Sequence, residues 1–375
     1  MGKVDVRQRP KRHEFDTKIS VVISEAIERS GLDIDTQPEL VEQVVGKAID
    51  RGSKNASDVV VRSLFKAAPR MLRRRRRDER KWRRQIRKYW GEAFNIYRML
   101  LVACHEVGEA FDFDHRPPDT EPFPPLANAM LGLQARAVQV ALDVLTLLEN
   151  GLGQGALGRA RTLHEIAVAA CVLSEQRSPG TNPDLAERFL DHQIVSTRKD
   201  ARQYQDNADA IGYEKFTDDE MKEFEDSFER VKTKYGSEFC KDNGWAAVLN
   251  GGSAPTFRRL EELASMSHLR SHYAWASHEV HADSKGWQQN IGEWDGVLYR
   301  STGGTLSGLA DPAHMAAIAL NNVTLSLIMC TDEGPDTESL IVMRVLTQLV
   351  DRVGDASIEA HRRVEALGGS SVHDG

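Results

Sequence analysis

The chain has 375 residues, of which 41 % are hydrophobic and 28 % charged, with a formal net charge of −7. These proportions exclude a disordered or fibrous chain and allow a sizeable core, in one large domain or two ordinary ones. Charge is uneven: residues 1–100 hold 25 Lys/Arg against 14 Asp/Glu (+11), the remainder 24 against 42 (−18), so a basic surface is set against an acidic one.

The four cysteines, Cys104, Cys171, Cys240 and Cys330, are far apart and form no C-x-x-C pair, which leaves neither a zinc finger nor a disulfide framework. They read as reduced, small apolar residues of a reducing compartment.

Residues 1–20 read as a flexible basic tail ahead of a helical N-terminal region, 21–114. No apolar signal-peptide core follows the basic start, and no apolar run looks long enough to span a bilayer. Val6 stands where a myristoylation motif after Gly2 wants Ser or Thr. The expected location is cytoplasmic.

PELVEQVVGKAIDRG, from Pro38 to Gly52, predicts a short amphipathic helix with Pro at its start and Gly at its end. A second helix follows from the N-cap Ser57, with Val59, Val60, Leu64 and Phe65 apolar. Two such helices and a tight turn fit a helix-turn-helix, as they fit any helical domain. Pro69 is expected to break the chain. The stretch MLRRRRRDERKWRRQIRKYW then predicts a helix on which Trp82, Ile86, Tyr89, Trp90, Ala93 and Tyr97 form one apolar stripe, running on to about Phe111.

A Pro-rich linker, 115–125, precedes a helical bundle domain, 126–366. Residues 126–149 carry only Arg136, Asp143 and Glu149 as charges, which marks a helix buried on most sides. A second apolar helix runs from about Ala156 to Ser174, after the break GLGQGALG. Charged outer helices are expected at about 183–210 and 217–240, and another helix at 256–282. Turn residues and a short apolar run predict at most a small β-hairpin near 287–301. Helices at about 311–331 and 336–366 close an all-α, multi-helix bundle, and 367–375 read as a disordered tail. No internal repeat is evident.

Gly153, Gly155 and Gly158 match G-x-G-x-x-G by letter, but a helix precedes them where a dinucleotide site needs a strand, so a helix–helix turn is the better account. There is no Walker sequence, and no cofactor is expected. Arg73, Arg74, Arg75, Arg76, Arg77, Arg80, Arg83 and Arg84 make a dense cationic surface. Like charges at i, i+4 repel, so this helix gains from an anionic partner. Nucleic acid, with Trp82, Tyr89 and Trp90 for stacking, is one candidate. An anionic membrane surface is another. The chain's own acidic domain, or that of a second copy in a homodimer, is a third.

The helix GRARTLHEIAVAACVLS has no evident solvent face, yet it carries Arg159, Arg161, His164 and Glu165. At 100° per residue Leu157, Glu165, Val168 and Val172 lie within about 40° of Arg161, with Arg159 on the opposite face. Buried charge must be paired, and Arg161 and Glu165, at i, i+4, can pair with each other. The segment HLRSHYAWASHEVHADS offers a partner surface whose end turns polar at Ser277, His278, Glu279 and His281. Bringing Arg161 and Glu165 against Ser277 and His281 would create an interior acid/base cluster. Such a cluster is catalytic in some proteins and fixes helix register in others. No metal-ligand set stands out beyond scattered His and Glu.

At these residues the chain resembles a bacterial all-helical family of unknown function. The resemblance rests on an R-x-x-x-E helix (Arg161 to Glu165) and a later Y-x-x-x-S-x-x-x-H helix (Tyr273, Ser277, His281), and it covers about 125–330. That family brings no established activity. A weaker resemblance is to HEPN ribonuclease domains, whose R-x(4–6)-H spacing is met by Arg159 and His164. It implies metal-free RNA cleavage by Arg and His at a dimer-formed site. Two functions are therefore expected: a nucleic-acid-directed, ribonuclease-like factor of bacterial stress or phage defence, or a non-catalytic interaction or oligomerisation protein with a structural polar cluster.

Overall fold

The computed structural model describes residues 12–33, 35–118, 120–175, 184–278, 280, 285, 291–294, 297–300, 302–331 and 334–369. The fold is all-α. Its helices are α1 (Arg12–Ser30), α2 (Pro38–His115), α3 (Pro125–Glu149), α4 (Gly153–Glu175), α5 (Leu185–Asp191), α6 (Gln193–Ile211), α7 (Asp218–Tyr235), α8 (Phe257–Leu263), α9 (Arg270–Ser277), α10 (Ala310–Ile328) and α11 (Thr337–Gly369). One antiparallel hairpin, β1 (Ile291–Trp294) with β2 (Val297–Arg300), sets Ile291 opposite Arg300 and Trp294 opposite Val297. It lies inside the 287–301 window. The chain divides into two compact units, Met1–Lys81 and Trp82–Gly375.

In the first unit α1 begins at Arg12, inside the stretch expected to be a tail. Residues 1–11 lie outside the described residues. The expected pair of helices is one helix: α2 runs through Gly52 and Pro69 without a turn, so there is no helix-turn-helix. Gly52 has a packing role instead, since a Cβ there would meet Val22 of α1 at 3.7 Å. Pro69 costs about 3 kcal/mol and strips the residue-65 carbonyl of its helical donor. Phe65 is 76 % exposed, so water can serve that carbonyl, and the helix formers on both sides carry the helix across.

In the second unit α10 packs on α4 and α3, α11 covers α10, and α3 and α4 form a hairpin. The Trp82–His115 part of α2 lays the predicted stripe on this core: Ile86, Trp90, Ala93 and Tyr97 are all buried. Burial of polar groups is matched by hydrogen bonds. Trp82 Nε1 donates to the Asn150 carbonyl (3.1 Å), Trp90 Nε1 to that of Leu306 (3.0 Å) and the Tyr97 hydroxyl to that of Ala141 (3.1 Å). Gln134 of α3 ties three helices, donating to the Cys104 carbonyl (2.7 Å) and to Thr324 Oγ1 (3.1 Å).

Contrary to expectation, α3 has the length and hydropathy to cross a bilayer. Its apolar positions, among them Met130, Ala137, Val144 and Leu148, are buried in this core, as in the core helix of a bundle.

Candidate functional site

The polar cluster is assembled on α4, α8 and α9. The start of α4 is fixed by close backbone approach: a Cβ on Gly153 would sit 2.4 Å from the Gly308 carbonyl oxygen. This accounts for the first glycine of the G-x-G-x-x-G letters, whereas a Cβ on Gly155 or Gly158 would make only ordinary contact at 3.5 Å.

The segment predicted as one helix over 256–282 is broken. Thr256 caps α8 by accepting from the Arg259 amide (3.3 Å). At its other end the Met266 amide reaches the Glu261 carbonyl (2.8 Å) and the Ser265 amide that of Glu262 (3.2 Å), with Ser265 at φ 55°. That is a Schellman termination with serine in the left-handed position where glycine is usual. The break lets α8 present Glu261 and α9 present Arg270 and Tyr273 to the same part of α4.

One half of the cluster borders solvent. Arg161 Nη2 donates to the Tyr273 hydroxyl (2.9 Å), which donates to Glu165 Oε1 (2.9 Å). Arg161 and Glu165 also pair directly at 3.3 Å, as their i, i+4 spacing predicts. The Arg161 guanidinium lies 4.8 Å from the Tyr273 ring centroid. The Glu165 side chain is 40 % exposed and that of Arg161 17 %. Burial raises the pKa of the Tyr273 hydroxyl, opposed by the Arg161 hydrogen bond, so the phenol stays protonated as a donor at neutral pH.

The other half is sealed. His164 Nε2 meets Glu261 Oε1 at 3.0 Å, with both side chains 1 % exposed. Arg270 closes the pair from outside, its Nη1 donating to Glu261 Oε2 at 2.7 Å. Burial lowers the pKa of His164, opposed by the Glu261 hydrogen bond. A neutral imidazole donating from Nε2 to the carboxylate satisfies both groups. A group this enclosed is placed to orient its neighbours.

Other candidates stand apart from this cluster. Ser277 donates to the Tyr273 carbonyl (2.9 Å), a bond within its own helix, and not to Arg161 or Glu165. His281 lies outside the described residues, as does Glu279. Arg159 pairs with Asp143 of α3 at 2.7 Å, and both side chains are substantially exposed. Arg159 and His164 thus make these contacts on different helices, α3 and α8.

Arg73, Arg74, Arg75, Arg76, Arg77 and Arg80 are exposed on α2 in the first unit. Among the described residues their only ion pair is Arg75 with Glu79, at 3.0 Å. Arg83 and Arg84 are exposed in the second unit. Arg83 Nε donates to Asn150 Oδ1 (3.1 Å) at the edge of a cavity of about 680 Å³ that Arg87, Arg98, Phe94 and Thr146 also line.

Three residues of the cluster are missing from the sequence-derived candidates. Tyr273 is visible there only as a motif letter. Glu261 gives no signal, because FRRLEEL reads as an ordinary charged turn of helix, and nothing singles out Arg270 within HLRSHYAWASHEVHADS. Among the described residues no group of three His, Cys, Asp or Glu side chains could hold a metal ion.

No curated protein and no solved structure matches the chain. A family model does match, inside the 125–330 window that the two helix motifs imply, and its span contains Arg161, Glu165, Glu261 and Tyr273. Over residues 127–298, less than half of its length, the chain is similar to a family of unknown function (DUF5677).

Proposed function

We propose that the chain is a non-catalytic helical protein that binds nucleic acid through the arginine segment of α2, with the α4/α8/α9 cluster fixing helix register. The observation that carries this is the exposure of Arg73, Arg74, Arg76, Arg77 and Arg80 without an acidic partner among the described residues. Uncompensated like charges at i, i+3 and i+4 each cost a few tenths of a kcal/mol, which polyphosphate removes while releasing its counterions. The cluster supports the non-catalytic half of the proposal. His164 and Glu261 are sealed, and Arg159 is engaged by Asp143.

The test is anisotropy of labelled RNA and DNA across about 50 to 200 mM salt. Binding should weaken steeply with salt. Replacing Arg73, Arg74, Arg76, Arg77 and Arg80 by Gln should abolish it, or flatten the salt slope by about 0.9 per lost duplex phosphate contact. Absence of binding at low salt sinks the proposal.

The ribonuclease-like alternative has one observation in its favour, the solvent-bordering Arg161–Tyr273–Glu165 triad. RNA cleavage that is lost in Glu165→Gln and Tyr273→Phe, with binding retained, would establish it instead.

A further inference from the structure

We infer that residues 54–78 of α2 form an antiparallel seam with the same segment of a second copy of this chain. Val61, Leu64, Ala68 and Met71 follow the 3-4-3 spacing of a two-helix seam. Val61 is 48 % exposed, and Leu64 and Met71 54 % each. At 100° per residue these four positions fall within an arc of about 80°. Of the basic positions, Arg62, Lys66, Arg73, Arg77 and Arg80 centre about 165° away, Arg74 and Arg76 flank the seam at about 100° on either side, and Arg75 falls within it. The place where α1 meets α2, at Gly52, lies about 140° round from the seam, and so leaves it open.

Charge chooses the direction of pairing. The seam positions that extend the repeat outward are Lys54, Ser57, Arg75 and Asp78. A parallel pair would stack Lys54 on Lys54, Arg75 on Arg75 and Asp78 on Asp78. An antiparallel pair about a twofold axis near residue 66 matches Val61 with Met71 and Leu64 with Ala68. It also sets Lys54 against Asp78 and Arg75 against the small Ser57. On the flank Glu79 comes within about 3 Å along the axis of Arg51, and Phe65 within about 3 Å of its own copy. Each Arg73–Arg77 run then lies about 27 Å along the axis from the other, well beyond the screening length of about 8 Å. A parallel pair would hold the two runs side by side. The contact is self-complementary and closes at two copies.

This inference does not depend on nucleic-acid binding, and its test contains none. Sedimentation of the full chain over a concentration series should show a monomer–dimer equilibrium. Leu64→Asp should weaken it at least tenfold, whereas Arg73→Gln/Arg77→Gln should leave it in place. Direction is read by oxidative crosslinking against the unsubstituted chain. Val61→Cys alone and Met71→Cys alone should give no covalent dimer, because like cysteines lie about 15 Å apart along the axis. A mixture of the two variants should crosslink. A monomer at every concentration overturns the inference, as does a dimer indifferent to Leu64→Asp. Ready crosslinking of Val61→Cys alone overturns the antiparallel arrangement. Binding to anionic vesicles by a monomer, lost in Leu64→Asp, would reassign the stripe to a lipid surface.

Discussion

The two parts of α2 carry the same kind of apolar repeat and end in different environments. From Trp82 onward, Ile86, Trp90, Ala93 and Tyr97 are at most 1 % exposed. In the first unit, Val61, Leu64 and Met71 keep about half of their surface in solvent. Periodicity states that a helix has a face to bury, and does not state against what. The later part is held by packing and by the indole hydrogen bonds of Trp82 and Trp90. In the earlier part, residues 53–81 rest on helix propensity and continuity along the chain, which are weak sources of stability in water.

The largest expected effect separates these two parts. Trp90→Ala removes a fully buried indole and its bond to the Leu306 carbonyl, and should cost the bundle about 3–5 kcal/mol. Leu64→Ala should leave the same thermal transition within about 0.5 kcal/mol. Hydrogen exchange should agree, with amides of 86–104 strongly protected and those of 53–80 exchanging early in the monomer. Equal sensitivity of the bundle to both substitutions would erase the distinction.

What the sequence reveals follows the same division. The stripe from Trp82 to Tyr97 is legible because large apolar residues recur at helical spacing. The Arg161–Glu165 pair is legible because i, i+4 spacing alone brings the two together. The hairpin is legible from turn residues on either side of a short apolar run. Three helix boundaries are misread, in opposite directions. Gly52 and Pro69 are breakers by type, yet each costs only about 1–3 kcal/mol, which the surrounding helix absorbs. After Leu263 the chain does break, because Ser265 takes the left-handed conformation and Met266 is buried beyond it. Glu261 is invisible for a related reason. Its burial is decided by tertiary contact with His164, and nothing local sets it apart from Glu262, which pairs with Arg259 at 3.0 Å.

The next effect tests the sealed half of the cluster against the open half. Glu261→Gln keeps the shape but removes the charge that holds Arg270, and should cost about 1–3 kcal/mol. Glu165→Gln, on a side chain in contact with solvent, should cost less. The sealed half also predicts a pH dependence. Burial places the His164 pKa below its ordinary 6.5, so the unfolded chain takes up the proton more readily than the fold. Its contribution is therefore complete above about 6.5 and is lost as pH falls toward the folded value. His314 is shifted down by burial as well and adds to the same trend. Melting temperature should drop between about pH 7 and 5. His164→Gln should flatten part of that drop, the remainder belonging to His314. A drop of the same size in His164→Gln would remove His164 from the account.

The smallest effect discriminates between two arginines two residues apart on α4. Arg159 and Asp143 pair at 2.7 Å, but their side chains are 40 % and 48 % exposed. An ion pair so open to water contributes at most about 1 kcal/mol, and less as salt is added. Arg159→Ala should therefore shift the melting temperature little, and should do so by the same amount in an Asp143→Ala background if the pair contributes nothing. Arg161→Ala should be costlier, because it takes away both the donor to the Tyr273 hydroxyl and the cation over that ring. The comparison also bears on the R-x(4–6)-H spacing. In a cleft built on Arg159 and His164, Arg159 would be the more sensitive position. A larger loss at Arg161 instead assigns the structural weight of α4 to the contact with α9, where the R-x-x-x-E pair meets Tyr273.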